Sequence, residues 1–148
     1  MGSDLVDERD LVIIEKLRRN ARSSYGEIAK ELGISDVAVM KRIRKLESQG
    51  VIKAYTIIAD DKAVGYGATS ITGIDVEPDH LFDVASALKE KPYAKYVAIS
   101  SGDHQIIAII KARNSEELAS YHSEISALPG VKRICPSMVL EVLKFDEM

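Results

Sequence analysis

A chain of 148 residues with 46% apolar residues, 29% charged residues and a formal net charge of −3 can form one average domain or two small ones, each with a modest core. No apolar run approaches the roughly 18 to 20 residues that cross a bilayer, and MGSDLVDERD lacks a basic region followed by an apolar one, so a cytoplasmic protein with no membrane partner is expected. Cys135 stands alone, which excludes an intrachain disulfide and a Cys-rich zinc site, and His80, His104 and His122 show no metal-ligand spacing, so no metal is expected.

The charge is unevenly shared. Residues 1–55 hold 11 Lys+Arg against 9 Asp+Glu, and residues 56–148 hold 9 against 14. Neither half announces nucleic acid by net charge, so local placement has to decide. ERDLVIIEKLRRN predicts a first helix with Ile13, Ile14 and Leu17 on one face and an acidic start and basic end that suit the helix dipole. SSYGEIAKELG predicts a second, with Tyr25, Ile28, Ala29 and Leu32 at i, i+3, i+4, i+7. Ser24 and Glu27 form a capping box there, and Gly33 supplies a left-handed stop. Only Ile34 then precedes Ser35, a good N-cap for a third helix. The pattern is helix, tight turn, helix.

The third helix, SDVAVMKRIRKLESQG, packs Lys41, Arg42, Arg44 and Lys45 into five positions. Wound at about 100° per residue, Val39, Ile43 and Leu46 form the buried stripe, while Val37, Met40, Lys41, Arg44 and Ser48 point away from it. Arg42 sits beside the core face, where a carboxylate of the preceding helix competes with any ligand. A cationic face with small and apolar residues near its N-terminal end suits the DNA major groove, but a solvated helix face can carry the same charges, and both readings stand at this point. VIKAYTIIA, alternating and β-branched, predicts a strand flanking the helix as a wing.

ADDKAVGYGA, residues 59–68, reads as a linker. Beyond it, TSITGIDV predicts a strand, DHLFDVASALKEK a helix burying Leu81, Phe82, Ala85 and Leu88, and YVAIS and QIIAIIKA two strands joined through Gly102. SEELASYHSEISAL follows as a helix with Leu118, Tyr121, Ile125 and Leu128 at helical spacing, stopped by Pro129 and Gly130, and PSMVLEVLKF is the last strand. The order β-α-β-β-α-β is that of a ferredoxin-like sandwich, which makes the whole chain α+β. Its helices cover one sheet face. The other face is also apolar in QIIAIIKA and SMVLEV, so it predicts self-association. SSGD, from Ser100 to Asp103, reads equally as a hairpin turn or a ligand loop. No nucleophile-base signature or paired-carboxylate motif points to catalysis, although a small metabolic enzyme or a stand-alone amino-acid sensor shares such a fold.

The chain resembles the Lrp/AsnC family of transcription regulators, also called feast/famine regulatory proteins. The residues that carry the resemblance are Asp7, Asp10, Ile13, Ile14, Leu17, Ala21 and Arg22, then EIAKELGIS, VMKRIRKLESQGVIKAY, SSGD and LPGV, in the family's order and spacing over nearly the whole chain. The resemblance implies a DNA-binding regulator and not an enzyme. Its winged helix-turn-helix spans residues 1–58, with Ser35, Asp36, Val37, Met40, Lys41, Arg44, Lys45 and Ser48 as candidate contacts to double-stranded DNA at a pseudo-palindromic operator. It further implies that residues 69–148 form an effector-binding and oligomerisation domain. This domain pairs sheet to sheet into a homodimer, often assembles to an octamer, and binds a small amino acid near Ser100, Ser101, Gly102, Asp103, His104, Gln105, Ile134 and Pro136. Where relatives carry an aromatic and an acidic residue this chain has His104 and Gln105, and Ile134 and Pro136 replace frequent threonines. An uncharged Gln105 predicts an effector with a neutral side chain, an amide such as glutamine matching it best. No other cofactor is expected.

Overall fold

A computed structural model describes residues 5–146. The chain divides into two compact units, one ending at Ile58 and one running Ala59–Phe145.

The first unit holds α1 (Glu8–Arg19), α2 (Tyr25–Leu32) and α3 (Asp36–Ser48). Each helix is started by a side chain that takes up an orphan amide. Asp7 and Asp10 cap α1 reciprocally, Ser24 and Glu27 do the same for α2, and Ser35 accepts from the Ala38 amide at 3.1 Å. Gly33 adopts φ 66°, a left-handed turn that ends α2 and allows α3 to begin two residues later. Ile13, Ile28, Ala29, Val39, Ile43 and Leu46 form the core, with Ile14, Leu17, Leu32 and Ile34 packed at its edge. Tyr25, expected on the buried face of α2, is instead exposed: at the first helical position its ring lies beyond the core.

The strand expected in VIKAYTIIA does not form within the described chain. The amides of Val51 and Ile52 both donate to the Leu46 carbonyl, folding the backbone against the end of α3. The Tyr55 hydroxyl donates to Glu47 at 2.9 Å, and partial burial together with that carboxylate pushes its pKa up to about 12. Beyond it Ile57 and Ile58 are exposed. A strand needs a ladder partner, and the described residues offer none here.

The second unit contains β1 (Ala68–Val76), a 3-10 turn at Pro78–His80, α4 (Leu81–Lys89), β2 (Ala94–Ile99), β3 (Ile106–Ala112), α5 (Ser115–Ser126) and β4 (Val131–Met138). The sheet is antiparallel throughout, in the order β2-β3-β1-β4, which is the ferredoxin-like arrangement predicted. Along β3 the residues Ile106, Ala108, Ile110 and Ala112 point into the core, and Ile74 and Val76 of β1 join them beneath Val84 and Leu88 of α4 and Leu118 and Ile125 of α5. Phe82, expected inside, is 74% exposed, and Val84 takes its place. The helix begins only at Leu81, after the Pro78 turn, and from that start the inward stripe runs through Leu81, Val84, Ala85 and Leu88. Two polar core residues of β1 are satisfied by α5: the Ser70 hydroxyl and His122 Nε2 share a 2.7 Å hydrogen bond, with the Thr72 hydroxyl beside them.

The last strand lies earlier than PSMVLEVLKF suggests. β4 is VKRICPSM, which already matches β1 from Val76 to Ser70. Pro136 is tolerated because β4 is an edge strand. Residues from Leu140 to Phe145 carry no strand, and Leu140, Val142, Leu143 and Phe145 are exposed. The sheet face away from the helices bears Ile71, Tyr96, Ile107 and Ile109, with Ile71 and Tyr96 about half exposed.

Candidate nucleic-acid interface and effector cleft

The helix-turn-helix sorts its cations into two kinds. Arg42 Nη1 donates to Asp7 Oδ2 at 2.8 Å and to Asp10 Oδ1 at 2.9 Å, holding α3 to the start of α1. Its partners are thus on α1, not on the preceding α2 as the sequence suggested. The guanidinium beside Asp7 holds that carboxyl below its usual range. Lys41, Arg44 and Lys45 are exposed, and among the described residues none of them makes an ion pair. By contrast Lys16 pairs with Glu31 and Arg19 with Glu15. Val37 is exposed and Met40 half-buried on the same side of α3, while Ser35 and Asp36 sit at its N-terminal end. Ser48 is exposed and closes the last turn through Lys45 O. All eight residues expected at a DNA contact therefore lie on the open side or the N-terminal end of one helix.

In the second unit the loop from Ser100 to Gln105 is internally braced. Ser100 Oγ accepts from the Gly102 amide and donates to the His104 carbonyl, and the Ser100 amide donates to the Gln105 carbonyl at 2.8 Å. The Gly102 amide, a candidate for binding a ligand carboxylate, is thus already engaged. His104 Nδ1 lies 2.7 Å from Asp75 Oδ1, while Arg133 holds Asp75 Oδ2 through Nε and Nη2. The bond to His104, with Arg133 beside it, holds the Asp75 carboxyl below its usual range.

Gln105 does not present a free amide. Its Oε1 accepts from the Val76 amide at 2.9 Å, next to the irregularity where the β1–β4 register shifts between Asp75 and Val76. What remains on the Gln105 side chain is a pair of N–H donors. It lines a cleft of about 670 Å³ together with Asp75, Val76, Pro78, Leu81, Asp103, Lys132 and Arg133. Asp103 and Lys132 have no ion-pair partner among the described residues, so the cleft offers one free anion and one free cation above an apolar wall. Of the expected effector residues, Asp103 and Gln105 line this cleft. Ser100, Ser101, Gly102 and His104 shape the loop behind it. Ile134 packs on the hydrophobic core and Pro136 lies farther along β4, opposite Thr72. Asp75, Lys132 and Arg133 escaped the sequence reading, although alternation along VKRIC places Arg133 and Cys135 on one face.

The histidines are scattered in sequence, but folding gathers a metal-ligand set that spacing does not reveal: Asp75, His104 and Cys135 bring one donor atom each to within 4.8 Å of one another.

Comparison with known proteins matches residues 6–53 to a family described as winged helix-turn-helix DNA-binding, and residues 70–148 to an AsnC-type C-terminal dimeric alpha+beta barrel domain. The HTH-type transcriptional regulator LrpA of Pyrococcus horikoshii is 47% identical over 141 residues, which cover 95% of this chain and 100% of the relative. Among solved structures, AsnC of E. coli superimposes with a TM-score of 0.88 at 23% identity over 97% of this chain and 98% of that one. The feast or famine regulatory protein of M. tuberculosis, complexed with L-methionine, gives 0.89 at 22% identity over 96% and 97%.

Proposed function

Because the chain belongs to the Lrp/AsnC family of transcriptional regulators, we propose that α3 enters the major groove of double-stranded DNA with Ser35, Asp36, Val37, Met40, Lys41, Arg44, Lys45 and Ser48 on its contact side. The observation that carries this reading is the split among the cations of α3: Arg42 is used internally, whereas Lys41, Arg44 and Lys45 are exposed and, among the described residues, unpaired. Unpaired surface cations on one helix face gain affinity by releasing condensed counterions from DNA. In this reading residues 1–58 read DNA, 59–68 link, and 69–148 assemble and sense, all in the cytoplasm. Two copies related by a two-fold axis present two α3 helices to a pseudo-palindromic operator, and the exposed apolar sheet face supports dimerisation and further assembly to an octamer.

A small amino acid is the effector in this proposal, bound in the cleft with its ammonium toward Asp103 and its carboxylate toward Lys132. Gln105, with its carbonyl engaged by Val76, offers donors only. That favours a neutral side chain bearing an acceptor, which glutamine meets through its carbonyl, over a cationic one. The feast or famine regulatory protein of M. tuberculosis is complexed with L-methionine, an amino acid with a neutral side chain of comparable size.

The test is fluorescence anisotropy of the full chain with its own upstream DNA across a salt series. Lys41→Ala and Arg44→Ala each cost roughly 1 to 3 kcal/mol for a base contact, or reduce the salt slope by about one for a phosphate contact. Unchanged binding by the double variant refutes the assignment. Calorimetric titration with the twenty amino acids tests the cleft, and tightest binding of lysine or arginine refutes the neutral-effector reading.

A further inference from the structure

We propose that Asp75, His104 and Cys135 form a binding site for a divalent transition-metal ion of the zinc class on the helix-free face of the sheet. The three residues come from β1, the loop before β3, and β4, so only the folded second unit assembles them. Their donor atoms lie within 4.8 Å of one another. A tetrahedral ion with bonds of about 2.0 to 2.3 Å holds its ligand atoms roughly 3.3 to 3.6 Å apart, so closure needs side-chain rotations that move donors by about 1 Å.

The backbone is shaped for this arrangement. Gly73 pairs with Cys135 across β1 and β4, and a Cβ at Gly73 would stand 2.1 Å from Cδ2 of His104. The imidazole therefore rests on bare backbone beside the cysteine, and no other residue at 73 leaves room for it. Asp75 Oδ1 and His104 Nδ1 already stand 2.7 Å apart, which brings two of the three donors together before any ion binds. Arg133 holds Asp75 Oδ2, so Oδ1, the oxygen now bonded to His104, is the one that turns to the ion when it binds.

The donor set states the kind of ion. A thiolate and an imidazole select zinc, cobalt or nickel over magnesium and calcium, which need oxygen donors. Thiolate and carboxylate together balance the charge of a divalent ion. Three protein donors leave a fourth position open to water.

Chelator-stripped full-length protein is titrated with Zn²⁺ by calorimetry and with Co²⁺ by absorption spectroscopy. One ion per chain is expected, and Co²⁺ should show a thiolate charge-transfer band in the near ultraviolet. Cys135→Ser abolishes the band and weakens Zn²⁺ at least tenfold, His104→Ala weakens it similarly, and Asp75→Asn weakens it roughly 10- to 100-fold. Ser137→Ala, on the same strand, leaves affinity unchanged. The proposal is overturned by a wild-type chain with no such band, or by His104→Ala and Cys135→Ser chains that keep wild-type Zn²⁺ affinity. Should Cys135→Ser fail to fold by circular dichroism, His104→Ala on the loop decides alone, and its unchanged affinity overturns the site.

Discussion

Replacing Arg42 by Met should destabilise the DNA-reading unit without touching its DNA contacts. Arg42 Nη1 serves two carboxylates at once, those of Asp7 and Asp10, and Asp10 is 5% exposed. The bond to the exposed Asp7 is screened by solvent and adds little to stability. Loss of the bond to Asp10 leaves a buried carboxylate oxygen without its donor, which costs roughly 1 to 3 kcal/mol. A loss of roughly 1 to 3 kcal/mol is equivalent to roughly 5- to 150-fold faster exchange of the α3 core amides. Native-state hydrogen exchange of the full chain reads this directly. Both bonds leave the same nitrogen, so the guanidinium fork is not used, and Arg42→Lys should cost less than about 1 kcal/mol. Unchanged exchange in Arg42→Met, with weakened DNA binding and a lower salt slope, would refute the structural role and make Arg42 a DNA contact.

Burial holds the His122 pKa below its ordinary 6.5, so the unfolded chain binds the proton more readily than the folded one. The resulting stability is complete above pH 6.5 and falls as pH drops below it, by at most about 1.4 kcal/mol per pH unit. His122→Gln should remove that fall between pH 6.5 and 5 in denaturant titrations, and an equal pH dependence in both proteins would contradict the prediction. Gly73→Ala should keep the sheet but displace His104 from Asp75, costing roughly 1 to 3 kcal/mol for the overpacked site. An unchanged His104 ring resonance by NMR would rule this out. Light scattering should find at least a dimer at micromolar concentration, and footprinting should find half-sites about 34 to 36 Å apart or a multiple of that. A monomer that still binds DNA tightly would contradict the assembly.

Local chemistry made the helices legible. Ser24, Glu27, Gly33 and Ser35 each do in the structure what their residue types suggest, because caps and left-handed stops depend on a few neighbouring atoms. The buried stripe of α3 was likewise readable, since Val39, Ile43 and Leu46 obey one period. Errors arose where tertiary context decides. Phe82 is as apolar as Val84, and only the helix start chooses between them. The end of β4 is set by the length of β1, and VIKAYTIIA has strand propensity but no partner strand among the described residues. At the sensing end, Gln105 looked like a free amide because its bond to the Val76 backbone crosses 29 residues. Asp75 and Cys135 carry no local signal at all. Their meaning appears only when β1 and β4 pair.

Ile57, Ile58, Leu140, Leu143 and Phe145 are exposed apolar residues, and if the proposed assembly covers them, stability becomes a function of abundance. A chain whose apolar surface is covered only by another copy has an apparent melting temperature that climbs with protein concentration, by mass action. Scarce chains then exist chiefly in the form that is easiest to unfold and to digest, while abundant ones protect one another. In the proposed assembly, dosage would set the lifetime of this protein, because the residues that close the assembly when copies are plentiful would expose a lone copy to proteolytic clearance.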